Sequence, residues 1–444
     1  MEGTEPCVPV GPGWLPGIGH LVALALRPIP FLESLPRLGP IVRINIWRKP
    51  VYVLTTAELV HKVMTQESAK VEKGFVFDKA RPLLGNGLFI SEREFHVQQR
   101  RIIQPSFNRE KTSQYAEIVF RSARRMAESW IPGEPLDLMD ELHRLSAGIV
   151  AEALFDVQLT PGQLERLRVA VPAVLSGFLW RALYPAPAFE RIPLGVNRKF
   201  DKAVTSLRDL VDDLRAASAA APGDRALLSQ TMPPQQLRDE AVSLLLAGTE
   251  TVATSLSWVL YELSCHQQAQ ESLRESIRGL LHARTGTDWD KVAGCEPLTR
   301  VLNESLRLHT PNWILMRRAV APLELDGTTL PAGAEILFSL TALHRAPQTY
   351  QDSSTFDPQR WERPIARKAF IPFGAGSHKC IGDSFAWTEM AVVTSLILDR
   401  WQISSTRRAR EKATSVTVRP SKMHIRVQPA PGGLRAAGTL HSEV

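Results

Sequence analysis

Apolar residues recur with the period of an α-helix through most of the chain, so the first expectation is a mainly helical protein. Pro-rich residues 184–193 interrupt this pattern and separate two long helices. The segments predicted as helices are residues 20–26, 31–38, 57–64, 95–105, 114–130, 139–155, 161–183, 195–217, 237–264 and 385–398, together with one around Glu304.

Alternation of apolar and polar residues predicts strands in the remaining segments. Residues 41–47 and 51–54 lie on either side of Arg48-Lys49-Pro50, which predicts a β-hairpin. Further strands are expected at residues 323–325, 328–330 and 335–340, and a last hairpin is expected from residues 415–419 and 424–427. The turn of that last hairpin, near Val418, is expected to reach a substrate.

Residues 67–86 follow neither period, although they carry several large apolar side chains. A long irregular segment of this kind is typical of a lid or a pocket wall. A loop that packs its aromatic residues into the core would show the same pattern, so both interpretations stay open. The candidate pocket residues, including two from later apolar segments, are Phe75, Phe77, Leu84, Phe178 and Trp313.

Composition places the chain among globular proteins with a large core, because 44% of its 444 residues are hydrophobic and 22% are charged. The formal net charge is +7. The basic residues form no long block and do not alternate with aromatic residues, which argues against a nucleic-acid partner and favours an acidic protein partner. No repeat or linker is visible, so we expect one catalytic unit over residues 1–444 with flexible tails at 1–11 and 429–444.

The cysteines and the amino terminus indicate the compartment. Four cysteines share no short spacing, which argues against a disulfide framework or a zinc cluster and favours a reducing environment. Residues 1–16 lack the pattern of a signal peptide. The apolar run at residues 21–26 is too short to span a bilayer, and the helix at 237–264 contains Glu250 and several hydroxyl groups. We therefore expect a cytoplasmic protein without a membrane anchor.

Residues 373–382 place three glycines and a cysteine immediately before a helical pattern. Glycine allows the positive φ angles of a tight loop, whose backbone N–H groups then point inward. Cys380 lies at the start of the helix, where the helix dipole and the neighbouring His378 and Lys379 favour a thiolate. Such a thiolate is a good axial ligand for an iron porphyrin. An ordinary glycine loop with a buried cysteine would have the same composition.

This loop resembles the haem-binding loop of the cytochrome P-450 family. Phe373, Gly376, His378, Cys380 and Gly382 stand where that family's pattern places them. The family usually has arginine in the position of His378, and histidine can also donate to a haem propionate. The resemblance implies haem b with Cys380 as the axial ligand of the iron. It also implies a mostly α fold with a smaller β-rich lobe, a triangular helical prism around the haem.

A pair of cationic residues fits the same cofactor. His96 and Arg100 are four residues apart, so they share one face of a predicted helix. The two residues alone suit either a pair of carboxylates or a solvated basic face. The resemblance implies that they bind the haem propionates, and it implies the same role for Arg317, with Arg318 in reserve.

The longest apolar helix has a polar break at Ala247-Gly248-Thr249-Glu250-Thr251. Glycine inside a helix costs roughly 0.5–1 kcal/mol relative to alanine, and hydroxyl groups bonded to backbone carbonyls tend to bend the helix. These residues alone leave function and packing equally open. The break resembles the oxygen-activation segment of the family. The resemblance implies that Thr251 orients water, that Glu250 supplies protons and that Gly248, after Ala247, leaves room for dioxygen.

Glu304 and Arg307 are three residues apart and can pair on one helix face. The motif Glu-x-x-Arg is common, so its weight comes from its order in the chain. The resemblance completes it with Arg360. We expect these three residues to be structural and to hold the core around the cysteine.

The resemblance implies a monooxygenase that inserts one atom of O2 into an unactivated C–H bond of a small apolar molecule. Electrons would come from NAD(P)H through a ferredoxin and a ferredoxin reductase, which Arg101 and Lys379 are placed to meet. Residues 100–107 and 316–320 are similar to those of bacterial sesquiterpene oxidases of this family. This similarity favours a terpenoid secondary metabolite as substrate, and we expect the enzyme to be a monomer.

Other substrates and functions stay open at this point. A fatty acid, a macrolide or another polyketide would suit the same apolar residues. A peroxygenase or isomerase of this fold would not use dioxygen, but the intact Glu250–Thr251 pair argues against it. A haem-binding sensor would show no turnover, and a helical scaffold without haem would be colourless.

Overall fold

The computed structural model describes residues 8–184, 186–220, 232–281, 288–405, 409–412, 417–421 and 423–431. Its helices are α1 (Leu21–Leu26), α2 (Pro28–Ser34), α3 (Ala57–Met64), α4 (Phe75–Asp78), α5 (Arg81–Leu84), α6 (Arg93–Ile103), α7 (Arg109–Ser129), α8 (Leu138–Phe155), α9 (Pro161–Ala182), α10 (Gly195–Ala220), α11 (Pro234–Cys265), α12 (Gln267–Leu281), α13 (Trp289–Ala293), α14 (Glu296–Leu308), α15 (Leu340–His344) and α16 (Asp383–Arg400). Its strands are β1 (Ile41–Ile46), β2 (Lys49–Leu54), β3 (Val71–Lys73), β4 (Pro135–Asp137), β5 (Ile314–Ala319), β6 (Leu323–Leu325), β7 (Thr328–Leu330), β8 (Glu335–Ser339), β9 (Trp401–Ser405), β10 (Glu411–Lys412), β11 (Arg419–Pro420) and β12 (His424–Pro429). The mostly helical prediction is confirmed.

The largest sheet has five strands in the order β1-β2-β8-β5-β3. Strands β2 and β8 are parallel, and the other neighbours are antiparallel. The predicted first hairpin is confirmed, because β1 and β2 pair along their whole length. In the same sheet Lys73 of β3 lies directly opposite Arg317 of β5. Directly opposite residues point to the same face of a sheet, so this register brings two cationic side chains together.

Helix α11 is the centre of the helical part and packs against α8, α10, α14 and α16. Most of its side chains are buried, although many of them are polar. Several of its hydroxyl groups find acceptors within the helix. Thr251 donates to the Ala247 carbonyl at 2.7 Å, and Ser255 donates to the Thr251 carbonyl at 2.8 Å. Such bonds to the carbonyl four residues earlier satisfy the hydroxyl groups and allow them in a buried helix.

Among the described residues, α11 is also the one helix that is long and apolar enough to cross a membrane. In its 18-residue apolar window, 78% of the residues are buried inside the protein. A helix surrounded by protein in this way is a core helix.

The predicted carboxyl-terminal hairpin is wrong. Strand β12 lies between β4 and β9, and β11 pairs with β10. Ile425 and Val427 alternate along β12 and are fully buried. Their alternation correctly predicts a strand, but it does not determine the partner of that strand. Residues 415 and 416, at the start of the other predicted arm, lie outside the described residues.

The predicted tails are also too long. The Arg43 N–H donates to the Pro9 carbonyl at 2.8 Å, and the Ala430 N–H donates to the Arg400 carbonyl at 2.9 Å. Backbone hydrogen bonds therefore hold Pro9 and Ala430 in place, and both residues lie in segments that we expected to be flexible. Residues 1–7 and 432–444 lie outside the described part of the chain.

The prediction of an irregular segment at residues 67–86 is wrong as well. The segment contains β3, α4 and α5. Each of these elements has three or four residues, which is too short for a period to show in the sequence.

Candidate active site

A large cavity lies between helix α11 and residues 373–382, which we call the cysteine loop. Most of the side chains around it are apolar. The space between protein atoms amounts to about 2400 Å³ when its mouth is included. The part that can hold the centre of a water molecule is about 360 Å³, within the roughly 300–1,000 Å³ of a small-ligand pocket. The cavity is therefore large enough for a bound ligand, and its lining extends from the cysteine loop to α11.

The cysteine loop is a tight turn. Gly374 and Gly376 have φ angles of +73° and +68°, which residues with side chains rarely adopt. A Cβ on Gly376 would also overlap the backbone carbonyl of Met64. The Cys380 N–H donates to the Phe373 carbonyl at 2.9 Å and closes the loop just before α16. Phe373 and Cys380 both line the cavity.

The thiol of Cys380 is accessible because it lines the cavity, and protein atoms surround its other sides. Burial among these atoms raises the pKa of the thiol, although a hydrogen bond from the Gly382 N–H and the charge of Lys379 oppose the shift. Lys379 thus favours the thiolate as expected, but burial opposes it more strongly. A cation bound to the sulfur would supply the missing stabilisation.

Cationic groups from three elements line one side of the cavity. They include the four predicted propionate donors His96, Arg100, Arg317 and His378. The rings of His96 and His378 lie 4.3 Å apart, and Arg100 donates to the Lys379 carbonyl at 2.7 Å. Burial lowers the pKa of Arg317, and burial together with His378 lowers the pKa of His96 to about 4. An anionic ligand would stabilise the charged forms of these groups.

Lys73 belongs to the same cluster, and the sequence analysis missed it. Its ammonium group lines the cavity and donates to the carbonyls of Ser91 and Leu88 at 2.8 and 3.2 Å. Burial lowers the pKa of Lys73 to about 7, in spite of the nearby Glu92. Val71 and Lys73 are the buried positions of one strand, but a strand of three residues shows no period in the sequence. A lysine at a buried strand position is unusual and points to a function.

Arg318, held in reserve as a propionate donor, lies on the other face of β5. It pairs with Glu335 at 2.8 Å and with Asp78 at 2.9 Å. Neighbouring residues of a strand point to opposite faces, so only one of two adjacent arginines can face the cavity. The structure selects Arg317.

The polar break in α11 faces the cavity with Ala247, Gly248 and Thr251. A Cβ on Gly248, however, would lie 2.9 Å from Cγ2 of Val150 in helix α8. The missing side chain therefore makes room for α8. Gly248 also lines the cavity, and the role expected for it beside dioxygen stays a prediction.

The carboxylate of Glu250 is bound by side chains that the sequence analysis did not connect with it. Arg419 donates to both carboxylate oxygens, and the hydroxyl of Thr417 donates to Oε1 at 2.7 Å. Nε2 of His143, on α8, lies 3.4 Å from Oε2. The Glu250 side chain is 2% exposed and that of Arg419 is 22% exposed. The group expected to supply protons is thus part of a buried ion pair.

The three predicted structural residues meet at one point. Glu304 accepts hydrogen bonds from Arg307 at 2.8 and 2.9 Å and from Arg360 at 2.9 Å. Arg307 donates to the His344 carbonyl at 3.0 Å, and Nε2 of His344 accepts the Ile371 N–H at 3.0 Å. This chain of contacts connects the ion pairs to the segment that leads into the cysteine loop.

Half of the predicted substrate residues line the cavity, namely Phe77, Leu84 and Phe178. The other three are misplaced. Phe75 and Trp313 line a separate, smaller groove, and Val418 is 1% exposed within the core. Thr417 lines the cavity in place of Val418, because consecutive side chains of an extended segment point in opposite directions.

These residues fit a haem. The sulfur of Cys380 faces the cavity, and a cluster of cationic side chains beside it suits two carboxylates. Nε2 of His378 is buried and lies 3.4 Å from Oε2 of Glu92, without a well-aligned hydrogen bond to it. A propionate oxygen would be a suitable acceptor for its proton.

Comparison with known proteins agrees with this geometry. The family model for cytochrome P450 matches residues 9–426. The chain is 37% identical over 408 residues to cyclooctat-9-en-7-ol 5-monooxygenase of Streptomyces melanosporofaciens, with 88% of each chain covered. It is 34% identical over 434 residues to cyclooctatin synthase of the same organism, with 93% of this chain and 94% of the relative covered. It is 30% identical over 437 residues to pentalenene oxygenase of Streptomyces avermitilis, with 94% and 96% covered.

The matched region contains the cysteine loop, the helix across the cavity from it and the cationic cluster between them. The chain therefore belongs to the cytochrome P450 family and is a monooxygenase.

Proposed function

We propose that this monooxygenase hydroxylates an apolar terpenoid secondary metabolite. The observation that carries the proposal is that Cys380 and Thr251 line one cavity with largely apolar walls. Two relatives are named for cyclooctat-9-en-7-ol and pentalenene, which have hydrocarbon skeletons. A wall of this kind buries such a skeleton by the hydrophobic effect.

The haem would be held from two directions. Cys380 would bind the iron, and the cationic cluster would hold the propionates; its members are Lys73, His96, Arg100, Arg317 and His378. When bound, the haem supplies the reductive activation of dioxygen and the insertion of one oxygen atom. The protein positions the substrate, excludes water and delivers protons.

Thr251 and Glu250 are the proposed proton-delivery groups. The Thr251 hydroxyl donates its proton to the Ala247 carbonyl, which leaves its oxygen as an acceptor for a water in the cavity. A carboxyl group such as Glu250 can act as a general acid for that water. Both residues line the cavity, so water there would connect the two groups into one proton path.

The electron donors are proposed to be a ferredoxin and its NAD(P)H-dependent reductase. Arg101 and Lys379 are exposed, and Lys379 is next to the cysteine. Exposed cationic groups attract an acidic protein partner and speed its association. The monomeric state and the cytoplasmic location stay predictions from the sequence.

The first test is the spectrum of the haem-loaded protein after reduction and exposure to carbon monoxide. Thiolate ligation should produce the long-wavelength Soret band for which the family is named. Cys380→Ser should abolish the band, whereas Cys295→Ser, which changes a cysteine outside the cavity, should keep it. A well-folded wild-type protein without the band would contradict the proposal.

The second test uses cyclooctat-9-en-7-ol, pentalenene and a saturated fatty acid as probes. A terpenoid probe should shift the haem spin state and, with ferredoxin, reductase and NADPH, give a product heavier by one oxygen atom. A spin-state shift without product would favour the alternative function of a haem-binding sensor. If only the fatty acid binds, the proposed substrate class becomes a fatty acid in place of a terpenoid.

Thr251→Ala should uncouple the reaction. Because the proposed water-holding oxygen is lost, NADPH consumption should continue while peroxide accumulates and product falls by about tenfold or more. The ratio of product to NADPH measures this effect. Equal ratios in the variant and the wild type would remove Thr251 from the proton path.

A further inference from the structure

Three separate elements converge on the carboxylate of Glu250. The turn at residues 417–419 contributes Thr417 and Arg419, helix α8 contributes His143, and α11 itself contributes Thr254 at 3.4 Å. The arginine reaches both oxygens through two of its nitrogens. Bidentate, charge-assisted contacts of this kind are among the strong hydrogen bonds of proteins.

These contacts fix where the carboxylate points. Glu250 and Thr251 are neighbours in sequence, and side chains at adjacent helix positions do not face each other. The Thr251 hydroxyl is bonded to the Ala247 carbonyl, while the Glu250 carboxylate is bonded to Arg419 and Thr417. As long as the arginine holds both oxygens, the carboxylate is a poor proton donor to the water proposed at Thr251.

The turn at residues 417–419 contacts both the cavity and the solvent. Thr417 lines the cavity and donates to Oε1 of Glu250, the oxygen that Arg419 also contacts. The Arg419 side chain is 22% exposed, whereas that of Glu250 is 2% exposed. Release of the arginine would therefore open the buried carboxylate toward solvent, and a ligand against Thr417 would disturb the same contact.

We infer that the turn at residues 417–419 is a positioning element for proton delivery, in which Arg419 holds the Glu250 carboxylate and controls when it can transfer a proton. In the open state a solvent proton binds to the carboxylate and then passes to the water held by Thr251. The carboxylate, again an anion, returns to Arg419. One proton enters and one leaves the carboxyl group, and no other bond changes. This inference rests on the proposed role of Glu250.

Other titratable groups near the carboxylate come from α8 and its amino-terminal end. Burial lowers the pKa of His143, against the effect of Glu250, and Asp140 and Asp137 lie farther along the same side. Nε2 of His143 makes no hydrogen bond within the described residues. A neutral histidine does not replace the guanidinium as a counter-charge, so Arg419 is the group to test.

The test follows the air oxidation of the reduced, haem-loaded protein, which needs neither substrate nor redox partner. Arg419→Gln should speed the loss of the reduced-haem absorbance by about tenfold or more and should change its pH profile and solvent isotope effect. Arg419→Lys should restore most of the wild-type behaviour. Arg426→Gln, which changes an exposed arginine of β12, is the matched control and should leave the rate unchanged.

A double-mutant cycle shows whether the arginine acts through the glutamate. In a Glu250→Gln background the Arg419→Gln change should have no further effect. An equal effect in both backgrounds would overturn the inference. If Glu250→Gln alters the rate and Arg419→Gln does not, only the inference about the arginine fails. If Glu250→Gln itself has no effect, the proposed role of Glu250 fails as well.

Infrared spectroscopy of the resting protein provides a readout that is independent of turnover. Arg419→Gln should move the carboxylate stretching band of Glu250, a band that the Glu250→Gln double variant lacks, because both oxygens lose their guanidinium donors. A merely structural arginine would lower the unfolding temperature without changing the oxidation kinetics. That result would contradict the inference.

Discussion

Two buried glutamates on the helices that enclose the cavity differ in their partners. Glu250 on α11 pairs with a guanidinium and with the hydroxyl of Thr417. Glu389 on α16 has one hydrogen bond, from the Ser146 hydroxyl at 2.6 Å, and its Oε2 has none within the described residues. Burial raises the pKa of Glu389 to about 8. Glu389 is therefore mainly a neutral acid at pH 7, while Glu250 belongs to an ion pair.

The difference shows that burial alone does not determine the chemistry of a carboxyl group. Each partner comes from a distant part of the chain: Arg419 is 169 residues from Glu250, and Ser146 is 243 residues from Glu389. A cationic partner compensates the loss of water around a carboxylate, whereas a single hydroxyl group does not. Glu250, the carboxyl group proposed for proton delivery, has a cationic partner.

A third buried glutamate extends the comparison and should show the largest effect. Glu304 is held by Arg307 and Arg360, and both Glu304 and Arg307 have fully buried side chains. Arg307→Ala should lower the free energy of unfolding by about 3–5 kcal/mol, because it leaves a buried carboxylate with too little compensating charge. Urea unfolding of the haem-loaded protein measures the change.

Arg300 on the same helix is the control for this prediction. It pairs with Glu296 and Glu362, whose side chains are 73% and 55% exposed. Arg300→Ala should cost less than about 1 kcal/mol, since solvent screens exposed pairs. Equal losses in the two variants would show that burial has no influence on these ion pairs.

Glu389→Gln should stabilise the protein at neutral and higher pH. The folded pKa of about 8 lies above the ordinary value of 4.5, so unfolding releases a proton between these values and stability falls as pH rises through this window. The glutamine variant has no proton to release, so its stability does not fall in this pH window. The difference in unfolding free energy should be near zero below pH 4.5 and roughly 3 kcal/mol at pH 7. Urea midpoints at pH 4, 6 and 8 test it, and a constant difference would contradict the prediction.

Glu250→Gln should lower the free energy of unfolding, in contrast to Glu389→Gln. The variant keeps the shape of the side chain but leaves Arg419 without a counter-charge. We expect a loss of about 1–3 kcal/mol at pH 7, the range of hydrogen bonds to charged groups. A stabilising effect, measured by the same urea unfolding, would show that the two glutamates are in equivalent environments.

The smallest effect is expected for Ser146→Ala. It removes the one hydrogen-bond donor to Glu389 among the described residues and should cost about 1 kcal/mol at acidic pH. The hydroxyl group opposes the rise of the pKa of Glu389, so this pKa should rise further in the variant. Infrared titration of the Glu389 carboxyl band would detect the shift, and an unchanged titration would exclude Ser146 as an influence.

Much of the fold could be predicted because its elements are long. Predicted helix α3 agrees with the structure, and α8, α9 and α16 differ from their predicted bounds by a few residues at most. The short elements between residues 67 and 86 were missed because three or four residues show no period. Strand β12 was predicted, but its neighbours β4 and β9 were not, since pairing depends on residues far away in the chain.

Residues of the site were predictable where their order in the chain carries the signal. Cys380, His96, Arg100 and Arg317 all line one cavity, as the motifs suggested. Lys73 was missed because its strand was not recognised. For the pKa of Cys380, the sequence shows the nearby charges but not the burial that outweighs them.

The sequence by itself determined the glycine turn before Cys380 and the hydroxyl-bearing helix, because the required φ angles and the bonds to carbonyls four residues earlier are local properties. Only the tertiary structure decided which partner each buried carboxyl group meets. Arg419 and Ser146 reach Glu250 and Glu389 through packing between elements distant in sequence. The charge of a buried group depends on that packing, because the energy of an ion without water is set by the few groups that contact it.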